Sequence, residues 1–234
     1  TITMATFELN TMHRMGISEL TYEDFTPLMQ VNTDAAALIV KQDAPWKTLQ
    51  EFMDYIRKNP GKLQMSGTGA GGAWDLARAG FQNAAGIPVS SVVWIPTKGS
   101  APSLLELMGG HIDAVCCSIP EASSQIESVL RVLAVMSAER HPDHPDVPTV
   151  KESGVDWEAV GWRGLMLPKG APDEIVNQLT QKLEKILTSE AYIEFMNKFG
   201  YGITVRGPAE FKSFLGQQDE QWKSVIEAVG YDKK

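Results

Sequence analysis

The sequence has few basic residues, no long apolar run and no recognisable leader. Its 21 Lys and Arg residues are outnumbered by 29 Asp and Glu residues, and the formal charge at pH 7 is −8. Because a nucleic-acid surface needs clustered cations opposite the phosphates, this composition argues against nucleic acid as a partner. No apolar run approaches the ~20 residues of a membrane-spanning helix. The strand-like opening Thr1–Phe7 carries neither a basic region nor a cleavage site, so we expect any export signal to lie outside this chain.

Cysteines and metal-ligand patterns are also sparse. The 2 cysteines, Cys116 and Cys117, are adjacent on an apolar run, and neighbouring Cα atoms about 3.8 Å apart are too close for an ordinary disulfide. We predict two strand residues that point to opposite faces. His141 and His144 stand between prolines in a segment typical of a solvated loop. The sequence thus predicts neither a metal site nor a cofactor.

The glycine-rich segment Gly67–Gly72 matches the G-x-G-x-x-G pattern of dinucleotide-binding proteins. That function also requires an acidic residue about 20 positions later, and none occurs between Asp75 and Glu106. The sequence contains no Gly-Lys-Ser/Thr phosphate loop and no G-x-S-x-G nucleophile motif. These gaps disfavour nucleotide binding and serine hydrolysis, and the sequence favours a protein that is not an enzyme.

The middle of the chain alternates predicted helices and strands. A capping box at Thr48–Glu51 starts a helix that Pro60 stops, and Pro102 and Gly109 mark the start and end of another. Periodicity predicts strands at 62–66, 89–95, 112–118 and 131–137, and further helices at 73–85 and 121–128. Fully apolar strands that alternate with helices indicate a parallel sheet covered on both faces, and hence an α/β domain.

The rest of the chain is mostly helical. After the proline-rich segment 141–148, two apolar stripes follow at helical spacing, over 175–187 and 211–229. Such stripes need a sheet to cover them, and the strands predicted for this part are 1–7, 28–31, 160–167 and 203–205. We therefore expect the N-terminal part of this domain to be missing from the chain.

Three strand-to-helix turns of the middle domain are candidates for a binding site. Ligands of open α/β sheets lie at the carboxyl ends of strands, where helix N-termini offer free N–H groups to anions. The first turn, 66–72, combines glycines with hydroxyl side chains, the second, 96–102, contains Thr97 and Lys98, and the third begins with Ser118. Each is also compatible with a tight turn that has capping hydroxyls. All three belong to one domain and can converge on one crevice.

Trp162 and Arg163 follow the proline-rich segment, where a crossover strand could carry them to the same crevice. An arginine there could bind a carboxylate through two parallel hydrogen bonds, or it could form a surface salt bridge. Both interpretations stay open for Arg163.

Eight segments, in this order, resemble the substrate-binding proteins of tripartite tricarboxylate transporters, also called Bug receptors. They are Tyr22–Pro27, Asn59–Leu63, Ser66–Gly69, Pro96–Pro102, Met108–Asp113, Leu133–Ser137, Pro145–Val150 and Gly161–Gly164. The resemblance covers nearly the whole chain. It implies a two-lobed α/β receptor of the type II periplasmic binding class, a Venus flytrap whose first lobe lacks its N-terminal part here. The implied outer lobe is 1–35 with 138–234, and the middle lobe is 36–137.

The resemblance also implies a function and a site. The family closes on a small organic acid, a di- or tricarboxylate or an aromatic carboxylate, in a cleft between the lobes and delivers it to integral membrane permease subunits. We accordingly expect a periplasmic monomer. Together with Thr97 and Arg163 from the turns and the crossover, the implied ligand-binding residues are Ser66, Gly67, Thr68, Gly69, Lys98, Gly99, Ser100, Ala101, Ser118 and Trp162.

The chain departs from the family at three places. Thr97 stands where the family usually has Tyr, Trp74 where His is frequent, and Cys117 with Ser118 where an Asp-Asn or similar pair is common. Trp74 and Cys117 suggest a more apolar pocket, which would favour a bulkier or aromatic acid.

Two other functions remain open. An α/β enzyme acting on an organic acid would need a titratable group in the crevice, and the turns contain only Lys98 and hydroxyls. A ligand-sensing receptor that docks on a signalling partner would bind the same class of ligand, and no motif separates it from a transport receptor.

Overall fold

The computed structural model describes residues 1–126 and 128–232. In chain order its strands are β1 (Thr3–Thr6), β2 (Phe25–Lys41), β3 (Leu63–Ser66), β4 (Val92–Trp94), β5 (Ala114–Ser118), β6 (Leu130–Val135), β7 (Val160–Pro168) and β8 (Ile203–Arg206). The helices are α1 (Leu49–Lys58), α2 (Ala73–Ala84), α3 (Ser100–Met108), α4 (Ile119–Ala122), α5 (Asp173–Leu187), α6 (Glu190–Phe199) and α7 (Pro208–Val229). Within these described residues, no helix has the length and apolar character needed to cross a membrane.

The chain forms two compact units. The first unit comprises Thr1–Asp34 and Gly161–Lys234, and the second comprises Ala35–Val160. The segment 138–160, which we assigned to the outer lobe from the sequence, lies in the second unit. Backbone hydrogen bonds hold it there: Val135 N–H donates to Pro148 O over 3.0 Å, and Ala36 N–H donates to Ala159 O over 2.9 Å.

The sheet of the second unit has the strand order β6-β2-β5-β3-β4. Strands β3, β4 and β5 are parallel, whereas β2 is antiparallel to both β5 and β6. The four strands predicted for this sheet, β3 to β6, thus run in the same direction, and β2, which enters from the first unit, is the strand that runs against its neighbours. Helices α2 and α3 pack against β5, whose five residues are all buried.

Two elements of this unit are shorter than predicted. The strand expected at 89–95 is reduced to β4, because Val89–Ser91 form a 3-10 turn in which Ser91 N–H donates to Pro88 O over 2.9 Å. The helix expected at 121–128 is instead α4, which starts earlier at a capping box and ends before two serines, which are weaker helix formers. Glu127, inside the predicted helix, lies outside the described residues.

The sheet of the first unit has the order β1-β7-β2-β8. Its aromatic core joins Phe7 to Trp222, with ring centroids 4.7 Å apart and edge-to-face geometry. The stripe predicted on α5 is largely uncovered: Leu187 is its buried residue, while Ile175 is 44% and Ile186 is 56% exposed.

Candidate functional site

The three turns lie at one edge of the second sheet, because β3 has β5 on one side and β4 on the other and all three strands are parallel. We call them the glycine turn (Gly67–Gly72), the lysine turn (Pro96–Gly99) and the serine turn (Ser118–Pro120). Thr97 N–H donates to Thr68 O over 3.2 Å, so the first two turns are directly bonded. The structure therefore brings together all the site residues predicted in this domain.

The glycine turn is held closely against the sheet. A Cβ atom on Gly67 would lie 2.2 Å from the Cys116 carbonyl oxygen, so only glycine fits there. Gly71 has a left-handed φ of 72°, and its N–H donates to Asp75 Oδ2 over 2.9 Å. Asp75 is in turn paired with Arg78, and both side chains are buried. This ion pair beneath the turn fixes the backbone above it.

Three hydroxyl groups tie the glycine turn to the lysine turn. The Ser66 hydroxyl donates to Ile95 O over 2.6 Å and lies 2.9 Å from Ser103 Oγ. Thr97 Oγ1 lies 2.6 Å from the same Ser103 oxygen, and Ser103 Oγ donates to Gly99 O over 3.0 Å. Because each hydroxyl carries one hydrogen, this network uses the donors of Ser66 and Thr97 within the protein.

A second network joins the first turns of α2 and α3 to the serine turn and contains a residue that the sequence prediction missed, Glu121. Trp74 Nε1 donates to Ser100 Oγ over 3.0 Å, and Ser100 Oγ donates to Glu121 Oε1 over 2.7 Å. Glu121 Oε2 accepts from Ser118 Oγ over 2.8 Å and from Ser118 N–H over 3.0 Å. The signal was present in the sequence, because Ser118 and Glu121 have the spacing of a capping box.

Helices α2 and α3 both begin at this edge without a capping side chain. Their N-cap residues are Gly72 and Gly99, and neither offers a side-chain acceptor, whereas Thr48 and Ser189 cap α1 and α6 with their hydroxyl oxygens. The first N–H groups of an α-helix have no acceptor within the helix, and they carry the positive end of its dipole. Two adjacent N-termini therefore present unpaired donors at the turns.

Two more features point to an anion at this place. Lys98 is exposed on the lysine turn, and within the described residues it forms no salt bridge. The Thr68 hydroxyl oxygen is buried and has no hydrogen-bond partner in the part of the chain that the structure describes. A ligand group or a water molecule placed there would satisfy this oxygen.

Trp74 and Cys117 do not provide the apolar surface expected from the sequence. Trp74 is 4% exposed, with its indole N–H engaged by Ser100, and Cys117 is fully buried. Burial raises the pKa of the Cys117 thiol well above its usual value, and it raises that of Cys116 as well. Both cysteines are unpaired core residues. Because neither Trp74 nor Cys117 adds apolar surface to the pocket, they give no reason to prefer an aromatic acid as the ligand.

Trp162 and Arg163 belong to the first unit. Trp162 is 1% exposed and packs edge-to-face on Phe211, with ring centroids 5.6 Å apart, so its side chain offers no surface to a ligand. Arg163 Nη1 donates to Asp34 Oδ2 over 2.9 Å and to Asn32 Oδ1 over 2.7 Å. Of the two interpretations for Arg163, the structure shows the salt bridge, with a partner that is itself buried.

In the ranges 1–126 and 128–232, no group of three or more His, Cys, Asp or Glu side chains is arranged to hold a metal ion. His141 and His144 lie side by side in their loop, with ring centroids 5.5 Å apart.

Comparisons with known proteins point to one family. The model of the tripartite tricarboxylate transporter family receptors matches residues 1–231. The BugT protein of Bordetella pertussis is 27% identical over 210 residues, which are 89% of this chain and 64% of BugT. The chain spans about three-fifths of the length of the curated relatives it matches. For two other relatives, the match covers 60% and 59% of the relative's own length.

Solved structures give the same result. A TctC solute-binding protein from Polaromonas, solved without ligand, is 33% identical with a TM-score of 0.80, and the match covers 97% of this chain and 77% of that one. The R. palustris protein Rpa4515, solved with adipate, is 25% identical with a TM-score of 0.87, and the match covers 98% of this chain and 78% of that one. The α/β periplasmic binding protein fold expected from the sequence is thereby confirmed.

Proposed function

Because the chain belongs to the tripartite tricarboxylate transporter receptor family, we propose that it captures a small organic acid outside the cytoplasm and delivers it to a membrane permease. Proteins of this family are periplasmic solute-binding proteins, and one structural relative was solved with adipate. The periplasm is accordingly the proposed location, and permease subunits are the proposed partners.

The observation that carries this proposal is the pair of uncapped helix N-termini at the glycine and lysine turns. A carboxylate placed between α2 and α3 accepts hydrogen bonds from first-turn N–H groups such as those of Ala73 and Ala101, and the ammonium of Lys98 adds a positive charge. The backbone of Gly67–Gly69 lies at the same edge. The hydroxyls of Ser66 and Thr97 hold the turns in place, and that of Thr68, which has no partner among the described residues, is proposed to bind the ligand.

Binding, and not catalysis, is the proposed role of this site. Its carboxylate, Glu121, accepts hydrogen bonds from Ser100 and Ser118 with its two oxygens, and we assign it the role of holding the start of α3 against the serine turn. The lysine turn supplies a cation for charge attraction. A sensing receptor would use the same contacts with the ligand and would differ in its docking partner alone.

The test removes one helix N–H group without disturbing the helix. Proline is favoured at the first helical position, where its missing N–H has no acceptor within the helix, so Ala73→Pro deletes a single proposed ligand donor. We expect calorimetric titration with a panel of mono-, di- and tricarboxylates to identify a bound acid, and this variant to bind it about 10-fold more weakly or worse. That loss corresponds to about 1.4 kcal/mol, which is close to the lower end of the range of about 1.5–3 kcal/mol for a hydrogen bond to a charged group.

The matched control is Glu190→Pro, which makes the same change at the first position of α6 in the first unit, where Ser189 is the N-cap. This variant is expected to bind the acid as the unchanged protein does. If Ala73→Pro binds the acid as tightly as Glu190→Pro does, the ligand does not bind at the start of α2. If the unchanged protein binds no acid of the panel, the proposed function is overturned.

A further inference from the structure

Glu121 brings a negative charge into a site that is otherwise built for an anion. Its two oxygens accept from Ser100 Oγ over 2.7 Å, from Ser118 Oγ over 2.8 Å and from Ser118 N–H over 3.0 Å. These are the donors that a ligand carboxylate would need at the serine turn. The protein's own carboxylate already occupies them.

The hydrogen count shows that neither serine has a hydroxyl hydrogen left for a ligand. The hydroxyl hydrogen of Ser100 goes to Glu121, and the Ser100 oxygen accepts the indole N–H of Trp74. The hydroxyl hydrogen and the backbone N–H of Ser118 both go to Glu121. At the serine turn the site therefore offers acceptor oxygens and a negative charge.

Within the described residues, no Lys, Arg or His side chain forms a salt bridge with Glu121. Arg78 is buried and paired with Asp75 under the glycine turn, and Lys98 stands on the lysine turn. The site is thus polarised along the sheet edge, from open N–H donors at α2 and α3 to a carboxylate at Glu121.

We infer that Glu121 determines ligand specificity: the acid carries its carboxylate at the α2 and α3 N-termini and a hydroxyl or ammonium group, not a second carboxylate, against Glu121. This inference rests on the proposed function and names its ligand class as hydroxy or amino monocarboxylates. Two like charges about 5 Å apart in a partly screened site disfavour binding by on the order of 100-fold. A hydroxyl or ammonium group in the same place donates to Glu121 instead.

The experiment compares acids of equal length that differ only at the far end. For chains of three to six carbons, the unbranched dicarboxylate, ω-hydroxy acid and ω-amino acid are titrated by calorimetry into the purified protein; with four carbons the probes are succinate, 4-hydroxybutanoate and 4-aminobutanoate. We expect the best hydroxy or amino acid to bind at least 10-fold more tightly than the dicarboxylate of its length. Glu121→Gln should reduce that ratio by 10-fold or more.

Glu106→Gln is the matched control, because Glu106 lies on α3 and contacts His111 instead of the turns, and it should leave the ratio unchanged. If a dicarboxylate binds the unchanged protein as tightly as its hydroxy and amino counterparts, the specificity inference fails while the proposed function stands. If Glu121→Gln folds and retains the original ratio, Glu121 is not the specificity residue. If no acid of any length binds, the proposed function fails and the inference fails with it.

Discussion

Gly67 shows how a single missing side chain lets the glycine turn lie on the sheet. An alanine there would place its Cβ 2.2 Å from the Cys116 carbonyl oxygen and 2.9 Å from the Cβ of Trp74. We expect Gly67→Ala to lower the free energy of unfolding by about 1–3 kcal/mol, the usual cost of overpacking, as measured by the midpoint of urea denaturation.

Gly69→Ala is the control for this prediction. A Cβ at Gly69 would meet only the Thr97 carbonyl oxygen, at 3.8 Å, which is an ordinary contact. Its urea midpoint should stay close to that of the unchanged protein. Similar midpoints for both variants would show that the backbone at Gly67 shifts freely.

Glu152 gives a prediction about acid stability. Hydrogen bonds from Arg140, then from the Thr149 N–H, lower the pKa of this carboxyl from 4.5 to about 2. Because the pKa is depressed in the folded state, the stabilisation is present above the unfolded value near 4.5 and is lost as the pH falls through about 2. The unfolding free energies of the unchanged protein and of Glu152→Gln should therefore differ above pH 4.5 and converge towards pH 2, as urea titrations at each pH can show. A difference that does not vary with pH would contradict this account.

Site residues were predictable from the sequence in part. The glycine, hydroxyl and lysine pattern located the three turns, because turn chemistry is local and its spacing is fixed. Glu121 was missed, although the capping-box spacing with Ser118 was visible, because its bond to Ser100 joins residues that are distant in sequence. The burial of Trp162 depends on how α7 packs over β7, and no local pattern specifies it.

At the scale of elements, β2 differs most from its prediction. The sequence suggested a short strand near 28–31, whereas β2 runs from Phe25 to Lys41. Gln30, Asn32 and Asp34 interrupt its apolar pattern, yet all three are buried. Their partners are distant in sequence, with Arg206 bonded to Gln30 and Arg163 bonded to Asn32 and Asp34. A strand stabilised by such partners cannot be found from its own periodicity.

The contact between α2 and the segment 138–160 gives a prediction at the same scale. Trp157 lies over Gly80 and donates its indole N–H to Ala77 O over 3.1 Å. A Cβ on Gly80 would be 2.2 Å from the Trp157 ring. Gly80→Ala should displace the indole from α2, shift its fluorescence to longer wavelength and speed proteolytic cleavage between residues 138 and 160.

Gly216→Ala is a suitable comparison, since it also changes a helical glycine, and the added Cβ would lie 3.5 Å from its nearest neighbour, the Tyr22 hydroxyl oxygen. Its fluorescence and cleavage pattern should match those of the unchanged protein. Unchanged fluorescence in Gly80→Ala would mean that the indole has room to move without leaving the helix.

For the whole molecule, the alternation of apolar strands and helices correctly indicated an α/β fold. It did not indicate that β2 runs antiparallel to its neighbours, because strand direction depends on where the chain enters the sheet and not on residue type. Local sequence patterns also did not predict that the second unit extends to Val160. The segment up to Val160 joins it through single backbone bonds, such as Ala36 N–H to Ala159 O, between residues far apart in sequence.

The adjacent thiols of Cys116 and Cys117 have a consequence for a protein proposed to work in an oxidising compartment. Both are fully buried in β5, and burial keeps them in the unreactive protonated form. We therefore expect folded molecules to react slowly with thiol oxidants and with the enzymes that exchange disulfides. Only chains that have opened, or have not yet finished folding, expose a reactive pair, so oxidative crosslinking falls selectively on the misfolded fraction of the population.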